Sequence, residues 1–175
     1  KNFSNQKIKY ISFLDEDYPM SFKKIKNPPP CLFLKGNISL LNYQYNIAII
    51  GTRDCTEFGR KIAYNTAKKF AENQFNIISG LAIGIDTAGH MGALDVDGYT
   101  TAIVVDLINI FPKNNSELSK NIIDKKGLLL SENIPGTQPN KGLFISRDRL
   151  QSALSLGVFV IEAEIEGGTM YTVNF

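Results

Sequence analysis

The sequence is poor in the residues that mark metal sites and disulfide scaffolds. Its 175 residues include no tryptophan, one histidine and two cysteines, Cys31 and Cys55. The two cysteines lie far apart and neither has a CxxC partner, so we expect reduced thiols of a cytosolic protein, or at most a chance pair. Neither a metal site nor a cofactor is predicted.

Long hydrophobic runs are also missing. The longest apolar stretches have the length of a strand, and no positively charged start precedes an apolar segment of the kind found in signal peptides. We therefore expect a cytoplasmic protein without membrane contact. A chain of this length can bury roughly 70% of its unfolded surface, which suffices for a full core. Because the chain starts at Lys1 rather than Met, we expect an excised segment of a longer protein.

A large excess of positive charge is lacking as well. Lysine and arginine number 19 against 17 aspartates and glutamates, which gives a formal net charge of +2. A protein that coats nucleic acid without specificity is expected to be far more basic. Any polyanionic partner must therefore be held locally.

The chain divides into two parts of different pattern. Residues 1–44 are irregular and contain Pro28, Pro29 and Pro30, a triplet that cannot donate hydrogen bonds to a strand ladder. We interpret this part as a leader packed on a domain of residues 45–175.

The domain alternates short apolar runs with amphipathic segments of helical length. Strands are predicted at residues 47–50, 76–79, 101–105, 127–130 and 158–161, and helices at 56–73, 85–97, 115–126 and 146–156. Such alternation is typical of βαβ units, in which a parallel sheet is covered on both faces. The predicted fold class is therefore α/β, an open, doubly wound and mostly parallel sheet.

The end of the first predicted strand carries Gly51, Thr52 and Arg53. In a doubly wound sheet, ligands bind beyond the carboxyl ends of the strands. Gly51 permits a sharp turn, and the Arg53 guanidinium could contact a phosphate. A tight turn with a surface arginine explains the same residues equally well.

The second predicted strand leads into Ser79 and Gly80, with further small residues as far as Asp86. This segment allows a close backbone approach and a set of amides that could hold an anion. It matches neither GxGxxG nor GxxxxGK[ST], so neither a standard dinucleotide site nor a P-loop is supported.

A long loop is predicted at residues 135–144, and long ordered loops at this edge of a sheet are often functional. Lys141 and Phe144 place a cation and an aromatic ring three residues apart, which suits one phosphate and one base of a single strand. Arg147 and Arg149 follow at the start of the next helix. The residues alone slightly favour a core position for Phe144 and a solvated helix start for the three cations.

Asp86 and His90 lie four residues apart on one predicted helix face. A carboxylate could orient the imidazole there for acid or base chemistry. Because no nucleophile or third group is placed to complete a catalytic set, we expect a structural role for both residues.

Ordered motifs extend along nearly the whole chain. They comprise Tyr18, Pro19, Asn27, Pro28, Pro29, Leu34, Lys35 and Gly36; the run of residues 48–53; the run from Ser79 through His90 to Leu94; Phe111, Pro112, Asn115 and Leu118; Leu130, Ser131 and Glu132; Phe144, Arg147, Arg149 and Leu150; and Ile161, Glu162 and Ala163. In type and spacing these motifs resemble the DNA-processing protein A family (DprA, also called Smf), bacterial single-strand DNA-binding proteins with an extended Rossmann-like fold. The run that begins at Ser79 is the most specific part of the resemblance.

The resemblance implies a binding protein without enzymatic activity. Members of the family protect incoming single-stranded DNA and help load the RecA recombinase during natural transformation, so single-stranded DNA and RecA are the implied partners; a homodimer is possible. The implied nucleic-acid-binding residues are Gly51, Thr52, Arg53, Ser79, Gly80, Asn115, Lys141, Phe144, Arg147, Arg149, Gly168 and Thr169.

Three features depart from the family pattern. Asp106 stands in place of the glycine of a Gly-Leu-Asp motif, and Asp148 replaces the central asparagine of Arg-Asn-Arg. Both changes add negative charge and could weaken the binding of anions. Gly167, Gly168 and Thr169 stand where the family has Ser-Gly-Ser. The chain also stops at Phe175, whereas family members continue through a further helix and strand, so we expect a truncated C-terminal end.

Two other functions fit the same broad fold. One is a small-nucleotide sensor that uses the same anion site. The other is a nucleoside monophosphate phosphoribohydrolase, but such enzymes carry a Pro-Gly-Gly-x-Gly-Thr loop followed by a catalytic glutamate. Here Gly167 and Gly168 lack the third glycine, and Thr172 stands where that glutamate would fall.

Overall fold

A computed structural model describes residues 7–164 and 168–173. Its strands are β1 (Lys9–Ser12), β2 (Cys31–Gly36), β3 (Asn46–Gly51), β4 (Asn76–Ser79), β5 (Thr100–Ile103), β6 (Leu128–Ser131) and β7 (Val158–Ile161). Its α-helices are α1 (Met20–Lys23), α2 (Glu57–Glu72), α3 (Ile85–Asp95), α4 (Ser116–Asp124), α5 (Lys141–Leu154) and α6 (Thr169–Val173), and short 3-10 helices lie at Ile38–Asn42 and Lys113–Asn115.

The strands form one seven-stranded sheet in the order β1-β2-β6-β5-β4-β3-β7. The five strands of the predicted domain run parallel, with Ile77 of β4 opposite Thr100 of β5 and Ile49 of β3 opposite Phe159 of β7. Every residue of β4, β5 and β6 is buried, as expected where helices cover both faces of a parallel sheet. The predicted doubly wound, mostly parallel α/β fold is confirmed.

Side chains alternate between the two faces along each strand. Ala48 and Ile78 pack on one face with Leu150 of α5, whereas Ile49 and Ile77 pack on the other face against α2 and α3. The alternation follows from the two-residue repeat of a strand. It places α5 on the opposite side of the sheet from α2 and α3. Because each of these helices follows a parallel strand, its N-terminal end lies near the carboxyl edge of the sheet.

The leader contains more regular structure than the sequence predicts. β1 pairs with β2, and β2 pairs antiparallel with β6, so both strands extend the sheet of the domain. The three prolines lie just before β2, where the Pro30 carbonyl accepts a hydrogen bond from the Phe13 N–H (3.0 Å). They therefore leave the ladder intact. A division of the chain at residue 44 stays a prediction.

The predicted helices are present, but α5 begins five residues earlier than expected. The Asn140 side chain caps this helix by accepting a hydrogen bond from the Leu143 N–H (3.1 Å). Lys141 and Phe144 consequently lie in the first turn of a helix rather than in a loop, and Arg147 and Arg149 lie in its middle. Among the described residues, no helix is both long and apolar enough to span a bilayer.

Candidate nucleic-acid interface

A cavity of about 630 Å³ lies beyond the carboxyl end of β3, between the β3–α2 loop and helices α5 and α6. Eight of the predicted binding residues line it: Gly51, Thr52, Arg53, Lys141, Phe144, Arg147, Gly168 and Thr169. A smaller cavity of about 140 Å³ adjoins it, shares Arg53, Phe144 and Arg147, and includes Gly80. The structure thus brings together residues that lie more than a hundred positions apart in the chain.

The end of β3 is shaped by close backbone contacts. A side chain at Gly51 would overlap the Ile161 carbonyl and the Ile85 side chain, so only glycine fits. The next residue, Thr52, donates its N–H to the Glu162 carbonyl (2.8 Å), while its own carbonyl accepts from the Ile85 N–H (3.3 Å). These contacts fix the loop that presents Arg53 to the cavity.

Arg53 and Lys141 are the exposed cations of the cavity. In the part of the chain that the structure describes, neither forms an ion pair. The Arg53 guanidinium instead lies over the Phe144 ring, 5.5 Å from its centre. Both cations are therefore available to a phosphate.

Phe144 is partly exposed in the first turn of α5 and does not belong to the buried core. Its ring packs against the Phe111 ring at a centroid distance of 5.5 Å, and the Arg147 guanidinium lies 6.0 Å from its centre. Phe111 is 49% exposed, so the two rings form an aromatic wall that solvent can reach. The sequence alone slightly favours a core position for Phe144. In the structure, Phe144 lies instead at the partly exposed wall of the cavity.

Arg147 differs from Arg53 because its charge is already engaged. It is buried, and its guanidinium donates to the Gly80 carbonyl (2.6 Å), to the Ile103 carbonyl and to Asp148 Oδ1 (3.0 Å). These bonds tie α5 to the carboxyl ends of β4 and β5. Arg147 thus forms part of the cavity wall, and its Nε and Nη1 are already bonded within the protein.

Two N–H groups of the segment after β4 are bonded to a carboxylate of the protein itself. Asp86 Oδ2 accepts hydrogen bonds from the N–H groups of Gly80 (3.1 Å) and Ala82 (3.2 Å), so the protein's own carboxylate occupies the predicted anion site. Burial raises the pKa of Asp86 to about 6, although the positive charge of Arg147 opposes this shift. The N–H groups of Gly80 and Ala82 are therefore not free to hold an external anion, as the sequence had suggested.

Ser79 and Asn115 form internal hydrogen bonds that hold this segment in place. Neither residue lines a cavity. The Ser79 hydroxyl is buried and donates to the Ile49 carbonyl (2.7 Å). The Asn115 amide donates to the carbonyls of Leu81 (2.9 Å) and Ala82 (3.2 Å). We do not expect these two side chains to contact a ligand, because their polar groups already form hydrogen bonds within the protein.

Arg149 also lies away from the cavity. Its guanidinium forms a two-pronged ion pair with Glu132, with both N···O distances at 2.6 Å, and donates to the Asn27 carbonyl of the leader (2.9 Å). Arg149 and Arg147 are two residues apart on a helix and therefore point in different directions. Arg149 therefore connects α5 to β6 and to the leader outside the cavity, and its contact with DNA stays a prediction.

His90 is fully buried behind Asp86. The Thr100 hydroxyl donates to the Ile77 carbonyl (2.7 Å), so the ring Nδ1–H must donate to Thr100 Oγ1 (2.7 Å). Burial, and to a smaller extent the positive charge of Arg147, lower the pKa of His90 to about 3. The neutral ring lies outside the cavity lining, which agrees with the structural role expected for it.

Asp106, the first departure from the family pattern, is a turn residue. Its carboxylate accepts from the N–H groups of Gly136 (2.7 Å), Ile108 (3.0 Å) and Asn109 (3.0 Å). Burial alone would raise the pKa of Asp106, but these donors outweigh it and lower the pKa. Asp106 does not line the cavity. Its carboxylate therefore does not directly contact an anion bound there, as the predicted loss of anion affinity would require.

Eleven residues line the cavity that were not among the predicted binding residues. They are Ile50, Asp54, Ala82, Asp86, Phe111, Asn140, Ile145, Asp148, Gln151, Glu164 and Thr172. Four of these are acidic, so the cavity is mixed in charge rather than uniformly positive. Phe111 could have been found from the sequence, because Phe111 and Pro112 form one of the motifs shared with the family. Gly167, the remaining member of the glycine motif before α6, lies outside the described residues.

Comparison with known proteins gives concordant matches. The model of the family "DNA recombination-mediator protein A" matches residues 9–175. DNA processing protein DprA from Streptococcus pneumoniae is 40% identical over 168 residues, which cover 95% of this chain and 58% of that protein. The X-ray structure of the pneumococcal protein superimposes with a TM-score of 0.87 at 38% identity, covering 97% of this chain and 59% of that one.

A second solved structure is that of DNA processing protein A from Helicobacter pylori, described for its single-stranded DNA binding mode. It is 32% identical, has a TM-score of 0.84, and is matched over 95% of this chain and 75% of that one. The present chain spans less than two thirds of the pneumococcal protein. These matches do not favour the nucleotide sensor or the phosphoribohydrolase as alternatives.

Proposed function

The chain belongs to the DNA recombination-mediator protein A family, and on that basis we propose that its cavity binds single-stranded DNA. Arg53 and Lys141 contact backbone phosphates, and a base stacks on Phe144. The observation that carries the proposal is the position of the Arg53 guanidinium 5.5 Å from the Phe144 ring centre, with Lys141 one turn away along α5. A single strand needs this combination of cation and exposed ring.

The shape of the site favours a single strand over a duplex. The cations and the ring lie around a concave surface at the sheet edge, and the bases of a flexible strand can turn into it. In a duplex the bases are paired and stacked inside the helix, and readers of duplex sequence present an exposed helix to the major groove. A stiff duplex would touch only the rim of the cavity.

We base a wider role on family membership. We propose that this chain holds single-stranded DNA while a RecA-type recombinase is loaded, during the recombination of incoming DNA in the cytoplasm. Support comes from the description of the family as recombination mediators and from the Helicobacter pylori relative described for its single-stranded DNA binding. The proposal assigns binding, and no reaction, to the cavity.

The test is a binding titration of the purified chain against a mixed-sequence single strand, the matching duplex and free nucleotides, each at two salt concentrations. We expect the single strand to bind most tightly and its affinity to fall as salt rises. Lys120→Ala is a matched control, because Lys120 is exposed on α4 and lines neither cavity. Equal or tighter binding of the duplex would contradict the proposal.

A further inference from the structure

The inner wall of the cavity contains a buried acceptor without a donor. Gln151 of α5 is 2% exposed and lines the cavity. Its Nε2 donates to Asp148 Oδ1 (2.9 Å), which fixes the orientation of the amide. The carbonyl oxygen Oε1 on the other side has no hydrogen-bond partner within the described ranges 7–164 and 168–173. A buried polar atom of this kind is normally satisfied, so its state points to a ligand.

Asp148, one helical turn before Gln151, offers a second acceptor. Its Oδ1 receives the bonds from Arg147 Nε (3.0 Å) and Gln151 Nε2 (2.9 Å). No described residue donates to its Oδ2, and the side chain is 15% exposed where it lines the cavity. The hydrogen bond between Gln151 and Asp148 holds the two side chains together. Gln151 Oε1 and Asp148 Oδ2 are therefore acceptors on adjacent side chains.

A phosphate does not suit this part of the cavity. Arg147 Nε is bonded to Asp148 itself, and Arg147 Nη1 donates to the Gly80 and Ile103 carbonyls. A carboxylate oxygen and an amide carbonyl would repel the oxygens of an anion. The free cations Arg53 and Lys141 are the better phosphate contacts, which leaves the inner wall to a base.

The character of the surrounding side chains agrees with a base. Ile50 and Ile145 line the same cavity, together with the Phe144 ring. Apolar and aromatic surfaces hold the flat faces of a nucleobase, while polar atoms at the end of the site read its edge. The complementary edge must present adjacent N–H donors.

On the proposed function as a basis, we infer that this site selects guanine in a single strand through Asp148 and Gln151. Guanine has contiguous donors on its Watson–Crick edge, N1–H and the N2 amino group. Adenine and cytosine place a ring nitrogen acceptor beside their amino group, and thymine places a carbonyl on each side of N3–H. Each of these three bases would set an acceptor against an acceptor. Asp148 and Gln151 are thus specificity-determining residues.

Asp148 gives this selectivity a particular origin in the present chain. The residue stands where the family pattern has asparagine, whose amide carries both a donor and an acceptor. A carboxylate has acceptors only. The carboxylate of Asp148 therefore contributes to the recognition of a base, in addition to its unfavourable effect on the binding of phosphates.

The first test uses the unaltered chain and three oligonucleotides of equal length, compared by fluorescence anisotropy at one salt concentration. The first is all thymidine, the second carries isolated guanosines, and the third carries inosines at the same positions. We expect the guanosine strand to bind roughly tenfold more tightly than the thymidine strand, at the lower end of what a two-point base contact contributes. Inosine lacks the N2 amino group and should lose most of this gain.

The second test removes the two acceptors. Asp148→Asn and Gln151→Met should each lower the ratio of guanosine to thymidine affinity towards one. Asp54→Asn is the matched control, because it removes a carboxylate that lines the same cavity but is not bonded to Gln151. It should raise the affinity for both strands while the ratio stays unchanged.

The outcomes separate the two hypotheses. Equal binding of all three oligonucleotides by the unaltered chain would overturn the guanine inference and leave single-stranded DNA binding intact. A preference that survives in both acceptor variants would also overturn it. Failure to bind any of the three strands would overturn the proposed function itself.

Discussion

The guanidinium of Arg53 lies 5.5 Å from the centre of the Phe144 ring. Arg53 lies in the loop between β3 and α2, whereas Phe144 lies in the first turn of α5, so the contact joins two distant parts of the chain. A cation over an aromatic face is attracted by the ring quadrupole, and both groups remain open to the cavity. The positive charge of Arg53 and the stacking surface of the Phe144 ring therefore lie next to each other in the cavity.

Arg53→Ala and Lys141→Ala should each weaken the binding of single-stranded DNA. Each variant loses one phosphate partner and the counterion that its contact releases, so the slope of log affinity against log salt should become shallower by roughly 0.7. Titrations at several salt concentrations measure this slope. Lys120→Ala should bind as the unaltered chain does, and unchanged slopes in both cavity variants would place the DNA elsewhere.

Phe144→Ala should weaken binding without changing the salt slope. The loss of one stacking contact is expected to cost roughly 1–3 kcal/mol of binding free energy. Because the ring is partly exposed, thermal melting of the variant should stay close to that of the unaltered chain. A large drop in melting temperature together with lost binding would instead indicate that Phe144 mainly supports the fold.

Arg149→Ala should affect stability and leave DNA affinity nearly unchanged. The variant leaves Glu132 without its partner, and both side chains are less than 15% exposed. Loss of a hydrogen bond to a charged group costs roughly 1.5–3 kcal/mol of unfolding free energy. Urea denaturation measures this change, and a binding titration of the folded variant checks the second part. A marked loss of affinity in the folded variant would restore Arg149 to the interface.

His90→Asn should flatten the loss of stability in acid. The pKa of the buried ring is about 3, below the unfolded value of 6.5, so in this range the unfolded chain takes up a proton that the folded chain excludes. Stability is therefore lost as the pH falls below 6.5, by about 2 kcal/mol at pH 5 through this group. Asparagine can still donate to Thr100 but does not titrate.

Urea denaturation at pH 8 and pH 5 measures the effect as a difference between the two proteins. Asp86, whose pKa is raised to about 6, has the opposite dependence, because its folded form gains stability as it becomes protonated. That contribution is present in both proteins and cancels in the comparison. Identical pH profiles would show that His90 is accessible to protons in the folded state.

The strands and many of the residues that line the cavity were predictable, because both depend on local pattern. Buried parallel strands are continuous apolar runs, and a residue that follows such a run must lie at the carboxyl edge of the sheet. Arg53 was found in this way. Lys141 and Phe144 were found as well, although in a loop, because the cap at Asn140 that starts α5 earlier resembles any loop asparagine.

The partners of the polar residues could not be predicted. Arg147 and Arg149 have the same type and nearly the same position, yet one lines the cavity and the other binds Glu132. Their separation depends on the rotation of α5 against the sheet, which only tertiary packing decides. For the same reason the sequence could not indicate that Asp86 would satisfy the amides of Gly80 and Ala82.

The carboxylate of Asp86 also has a consequence for the thermodynamics of association. Because it already bonds the amides after β4, that segment adopts its shape without a ligand, and a strand that binds need not order it. Little conformational entropy of the protein should be lost on binding, and the backbone of the free and bound states should superimpose closely. The entropic cost then falls mainly on the DNA, so a stiffer strand whose phosphates and base already match the cavity would gain affinity.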